Sequence, residues 1–253
     1  MRKAGPMQDD GGDAATTVAG RDAARRIEIV AFDADDTLWH NERAFRLTQD
    51  RFRALLADHA DGDHLSERLL AAERRNLGTY GYGVKAFVLC MIEAALEVTD
   101  RRVPGPVIAE IVAAGREMLE HPVDLLPGAA DAIDAALADG REVMIVTKGD
   151  LLDQERKVAA SGLGDLVHRV EVVSEKTPAL YRRLFAGRTA PMAGNSLRSD
   201  VNPAIAAGAY GIYVPHGLTW AIEHDEEPEG HPLFRRIESL AALPDLIAAI
   251  ETG

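Results

Sequence analysis

The stretch IEIVAFDADDTLWHNE, residues 27–42, drives an apolar run from Ile27 to Phe32 straight into Asp33, Asp35 and Asp36. A run of that length and composition fits a buried strand. Crowded carboxylates resist ionising together, because each raises the pKa of the other. A solvated turn tolerates them easily. A site that must hold a cation has a use for them.

Four more β-like runs follow: Glu142–Thr147, His168–Val173, Pro191–Gly194 and Gly211–Val214. Helical stretches separate them. GAADAIDAALADG puts Ala129, Ile133, Ala136 and Leu137 on one face. DLLDQERKVAASGLG opens on Asp150 as an N-cap and stops at Gly162; TPALYRRLF has Thr177 as cap and Pro178 in its first turn. A short helix is expected after Asp200. Alternation of strands and helices predicts an α/β, Rossmann-like parallel sheet with helices on both faces. Ligands of such sheets sit beyond the carboxyl ends of the strands. Asp33, Thr147, Lys176 and Asn195 all follow such ends.

Residues 41–121 read as helices alone, the second ending at Gly78, and form an inserted cap over the strand ends. Residues 27–40 and 122–253 make the core. Residues 1–26, rich in Gly, Asp and Ala, read as a disordered tail without the apolar middle of a secretory signal.

Lys and Arg number 28 against 41 Asp and Glu, a formal net charge of −13. That balance disfavours a nucleic-acid or membrane partner, and a phosphorylated substrate would need local cations. No apolar run has the ~20 residues of a membrane span. Cys90, the only cysteine, lies in an apolar helix and is expected in the core. A single cysteine leaves no intrachain disulfide and fits a reducing, cytoplasmic setting. A monomer or homodimer is expected.

Phosphoryl transfer asks for a nucleophile, a proton donor, positive charge on the phosphoryl oxygens and positioning. Of Asp33 and Asp35, one can attack phosphorus while the other stays protonated as the acid. Thr147, with the backbone N–H groups of Lys148 and Gly149, is placed to hold a phosphoryl oxygen. Lys176 supplies a point charge. Asn195 and Asp200, in GNSLRSD, supply oxygen ligands for Mg2+. Asp36 reads as a solvated turn residue. Trp220, Glu223, His224 and His231 match no metal spacing and read as surface packing. Tyr80 and Tyr82, in GTYGYGVK, sit between two cap helices, as a connection or a substrate contact.

The DxDxT motif (Asp33, Asp35, Thr37), then Thr147, Lys176 and GNSLRSD resemble, in order, the four motifs of the haloacid dehalogenase-like hydrolases, over residues 27–215. The insertion resembles that family's C1 cap. The second aspartate is more similar to the phosphatases than to the dehalogenases. The resemblance implies Asp33 as nucleophile, Asp35 as general acid/base, Thr147 and Lys176 on phosphate, and Mg2+ at Asp33, the Asp35 carbonyl and Asp200. Asn195 stands where the family usually has an acid, so weaker metal binding is expected. The implied activity is hydrolysis of a small phosphorylated metabolite. A sugar phosphomutase and a catalytically weak phosphate-binding module are the alternatives, with a dehalogenase behind them.

Overall fold

The computed structural model describes residues 26–253. The tail expectation falls on residues outside these, apart from Arg26. Among the described residues six strands form one parallel sheet: β1 (Ile29–Phe32), β2 (Glu142–Lys148), β3 (Arg169–Val173), β4 (Pro191–Gly194), β5 (Tyr210–Tyr213) and β6 (Phe234–Arg236). Their spatial order is β3-β2-β1-β4-β5-β6. β1 is central and buried on both faces, which is why its sequence is apolar without alternation.

Helices α1 (Glu42–Leu55), α2 (Gly62–Tyr80), α3 (Val84–Val98) and α4 (Gly105–Glu120) leave the sheet between β1 and β2. The later helices are α5 (Ala129–Ala138), α6 (Leu151–Ser161), α7 (Pro178–Phe185), α8 (Asn202–Ala206) and α9 (Leu243–Thr252). Val30 and Phe32 face α5 and α9 in one core, with Ile133, Ile145 and Ile247. Ile29 and Ala31 face the opposite layer, with Tyr181, Leu184 and Met192. Burying each Val, Ile, Leu, Phe or Met of these cores contributes roughly 1.5–3 kcal/mol.

The inserted helices carry a core of their own, with Phe52, Leu69, Phe87, Met91 and Ile111. The two linkers to it run side by side: His40 donates to the Asp124 carbonyl (3.0 Å) and Leu126 to that of Leu38 (2.9 Å). α2 passes through Gly78 and ends at Gly81, whose N–H bonds the Leu77 carbonyl; Gly78 alone weakened the helix without stopping it. The sequence reading also missed β6 and α9. β6 has three residues, two of them Arg, and lies at the sheet edge.

Candidate active site

The register aligns the carboxyl ends of the central strands. Phe32 pairs with Ile145 on one side and Ala193 on the other. Asp33 extends the ladder by one bond, its N–H donating to the Ala193 carbonyl at 2.9 Å. The chain turns away from β1 to opposite sides at this point, so a crevice opens there.

Asp33 is 6% exposed. Thr37 Oγ1 donates to its Oδ2 at 3.0 Å, and Lys176 Nζ donates to its Oδ1. Lys176 Nζ also donates to Asp200 Oδ1 at 2.7 Å. Burial alone would lower the Lys176 pKa, but the charges of Asp200 and Asp33 outweigh it and keep the amine cationic. Burial and then the Asp33 charge push Asp200 up to about 7, even with Lys176 beside it. Two carboxylates share one ammonium. Asp200 reaches this point over Gly194, where any side chain would collide with its carboxylate.

Asn195 closes the cluster from β4. In one amide orientation its Oδ1 faces the Asp33 carboxylate and the Asp35 carbonyl. Turned over, its Nδ2 donates to Asp33 Oδ2 (3.2 Å) and to the Asp35 carbonyl (3.3 Å). Among the described residues no three His, Cys, Asp or Glu side chains converge on a metal position. The oxygen set here is mixed: two carboxylates, a backbone carbonyl and an amide. Those are hard donors of the kind Mg2+ takes alongside waters, and the surplus carboxylate is what a cation would offset.

Asp35 does not fit the expectation of a carboxyl that stays protonated. Lys157 Nζ donates to both its oxygens (2.9 and 3.0 Å), Gln154 Nε2 to Oδ2 (2.9 Å) and Trp39 Nε1 to Oδ1 (2.7 Å). Burial would raise its pKa; the Lys157 charge and these bonds hold it below the ordinary value. The side chain is an ionised acceptor. Asp36 is not a solvated turn residue either. It is 6% exposed, takes the left-handed φ of 60°, and accepts from the N–H groups of Asn41 (2.9 Å) and Glu42 (2.9 Å). It thereby caps α1 from the core side, at the root of the insertion.

At the end of β2, Thr147 Oγ1 donates to Gln154 Oε1 at 3.2 Å. Gly149 has φ 152°, and a Cβ there would fall 2.7 Å from Gln154 Nε2. Lys148 turns towards the segment after β4. Its Nζ donates to Glu223 (2.5 Å) and Ser199 (2.6 Å) and lies 4.0 Å from the Tyr82 ring centroid. To reach a phosphate, Lys148 would have to leave these partners. Burial would raise the Glu223 pKa, but Lys148 and the Ser196 and Ser199 hydroxyls hold it low. Glu223 and Trp220 therefore face the cleft rather than the surface, while His224 and His231 stay exposed. Arg198 is exposed and donates to the Ile222 carbonyl.

Tyr82 reaches from the insertion to the core, its hydroxyl donating to Glu175 at 2.5 Å. Tyr80 is exposed and bonds Glu93 within the insertion. The cleft below encloses about 1090 Å³ of space open to solvent, from Asp33 to Phe45, Phe87 and Cys90. Sequence reasoning missed Trp39, Gln154, Lys157 and Glu223. Gln154 and Lys157 did leave a signal, as polar residues three apart, followed by Val158, on the inward stripe of α6.

The family model for haloacid dehalogenase-like hydrolases matches residues 27–187. Among solved structures, a haloacid dehalogenase-like family hydrolase from Xanthomonas campestris is 40% identical, with a TM-score of 0.79 over 91% of this chain and 96% of that one. Two others share the fold at lower identity. An HAD phosphatase from Thermococcus onnurineus is 20% identical (TM-score 0.58, 87% and 98% covered). An L-2-haloacid dehalogenase from Xanthobacter autotrophicus is 17% identical (TM-score 0.59, 88% and 98% covered). No curated protein matches the chain.

Proposed function

The chain belongs to the haloacid dehalogenase-like hydrolases, and from that premise we propose that it is a Mg2+-dependent phosphatase of a small phosphomonoester, working through an aspartyl phosphate. The observation that carries this reading is the convergence of Asp33, Lys176 and Asp200 at the strand ends inside one cleft. Mg2+ at Asp33, the Asp35 carbonyl, Asp200 and Asn195 would screen the approach of a carboxylate to a phosphoryl dianion.

The chain's own groups do the rest. Asp33 forms the bond to phosphorus as the ester P–O bond breaks. Lys176 holds the attacking carboxylate in place and places positive charge on the phosphoryl oxygens. Thr147 and the backbone N–H groups of Lys148 and Gly149 orient those oxygens. Asp35, ionised beside Lys157, is poised to take a proton from the water that opens the aspartyl phosphate. Its service as the acid in the first step requires release from Lys157 and protonation. The inserted helices exclude bulk water and favour a small substrate over a phosphoprotein.

The second aspartate, Asp35, has no evident use in a dehalogenase, which favours the phosphatase reading. Release of phosphate from p-nitrophenyl phosphate, with and without Mg2+, tests it. Asp33→Asn should lower kcat by about 10³-fold or more, as expected for loss of the nucleophile. Retained turnover in that variant would remove Asp33 from the role.

A further inference from the structure

The far end of the cleft, under the inserted helices, is chemically unlike the catalytic end. Its walls include Phe45, Leu77, Phe87 and Trp220, and its charged groups are Glu42 and Glu73. Among the described residues, the cations that line the cleft are Lys148, Lys157 and Lys176, all on the core and all engaged with core carboxylates. No Lys or Arg of the insertion lines it.

Glu73 is 7% exposed, and the hydrogen bond it receives comes from Trp220 Nε1 at 3.3 Å, a neutral donor. Glu42 is 6% exposed and pairs with Arg46 at 3.1 Å. Arg46 is half-exposed, donates to the Thr219 carbonyl, and lines a neighbouring cavity that Glu42 and Glu73 also border, without lining the cleft itself. One guanidinium therefore forms an ion pair with one of the two buried carboxylates, that of Glu42, while Arg46 and Arg74 act on Glu73 only from a distance. An unpaired buried carboxylate is costly, and a ligand that brings a cation relieves that cost. Burial raises both acids towards neutrality, to about 7 each. The aromatic walls add ring faces, which favour an ammonium over a plain hydroxyl.

We propose that this end selects a phosphomonoester whose leaving group is an apolar body ending in a protonated amine, with Glu73 receiving the ammonium. This deepens the phosphatase reading and rests on it. It also disfavours substrates with a second anion, such as phosphorylated hydroxy acids and bisphosphates, which would meet two carboxylates and no free cation.

The test uses the full chain and three aryl phosphates that differ only at the para position: aminomethyl, methyl and carboxymethyl. The expected kcat/KM order is aminomethyl, methyl, carboxymethyl, with about tenfold between the first two carried mainly in KM, as one charge-assisted hydrogen bond supplies. Glu73→Gln should bring the aminomethyl-to-methyl ratio close to one, and Glu73→Asp should restore part of it. A second arm omits phosphate: binding of 4-(aminomethyl)phenol and 4-methylphenol is followed by tryptophan fluorescence, with the amine expected to bind more tightly in the wild type alone. Equal kcat/KM for the three esters, or a preference that survives Glu73→Gln, overturns the amine site and leaves the phosphatase reading standing. If none of the esters is hydrolysed, the phosphatase reading falls and the phenol arm alone decides the amine site, equal binding of the two phenols overturning it.

Discussion

The two ends of the cleft settle their charges differently. At the strand ends, Lys176 lies between Asp33 and Asp200, Lys157 is clamped on Asp35, and Lys148 on Glu223. Every ammonium there has a carboxylate within hydrogen-bond reach. Under the inserted helices the hydrogen bond that Glu73 receives comes from a neutral indole N–H, with Arg46 and Arg74 acting on it only from a distance. The first arrangement is preorganised: the groups proposed to act on phosphorus are held before a substrate arrives. The second leaves a charge for the ligand to match, which is how a site rejects what lacks the matching group. On the proposed reading, chemistry rests on the sheet and selectivity mainly on the insertion, with Trp220 added from the core.

The sharpest way to break the contrast is to remove the cation that the catalytic end is built around. Lys176→Met leaves Asp33 and Asp200 buried against each other with no ammonium. Loss of one partner from a buried ionic group typically costs about 3–5 kcal/mol. Urea denaturation at pH 7 should show a loss of that order, together with loss of phosphate release. A variant as stable as the wild type would mean that the Asp33–Lys176–Asp200 cluster is not formed in solution.

The second test acts on the other end through pH. Glu73 has its folded pKa raised from 4.5 to about 7, first by burial, with Trp220, Arg46 and Arg74 acting the other way. An acid whose pKa is raised on folding binds more protons folded than unfolded. Its contribution is full below pH 4.5 and disappears as pH rises through 7. Between pH 5 and pH 8 it should cost the wild type roughly 3 kcal/mol at most, from 1.36 kcal/mol per pKa unit. Glu73→Gln should lose less stability over that range than the wild type does. Parallel stability–pH curves for the two proteins would show that Glu73 is not buried as described, and the contrast between the two ends would lose its main support.

How much of this was legible beforehand follows the same division. The sheet could be read because β1 and β2 are buried on both faces and so spell themselves in apolar residues. Asp33, Lys176 and Asp200 could be placed because each follows a strand end, and Thr147 because it lies in the last residues of β2 before that end, positions fixed by topology. Asp35 and Asp36 could not be told apart by type; a left-handed turn at Asp36 sends one carboxylate to Lys157 and the other to the N-terminus of α1. Lys157 lies 122 residues from Asp35 in the chain, so their meeting depends on how α6 packs against the sheet. Glu223 sits in an irregular segment with no period to read. Nothing in the sequence of α2 sets Glu73 apart from its other polar residues, and the packing of Trp220 against it goes with its burial.

Asn195 offers the finest adjustment, because it sits where one more charge would tip the catalytic end towards the state of the other. Asn195→Asp places a third carboxylate beside Asp33 and Asp200, with Lys176 still the only ammonium among them. Without a divalent ion the added charge is repelled and also loses the amide's donor to Asp33, so thermal stability should fall by about 1 kcal/mol. With Mg2+ the sign reverses. The extra carboxylate adds attraction for the cation, half-saturation should drop about tenfold, and the rise in Tm on adding Mg2+ should exceed that of the wild type. Calorimetric scans with chelator and with Mg2+ read both effects in one experiment. If the variant and the wild type respond to Mg2+ alike, Asn195 does not face the ion, and its amide serves only to bridge Asp33 and the Asp35 carbonyl.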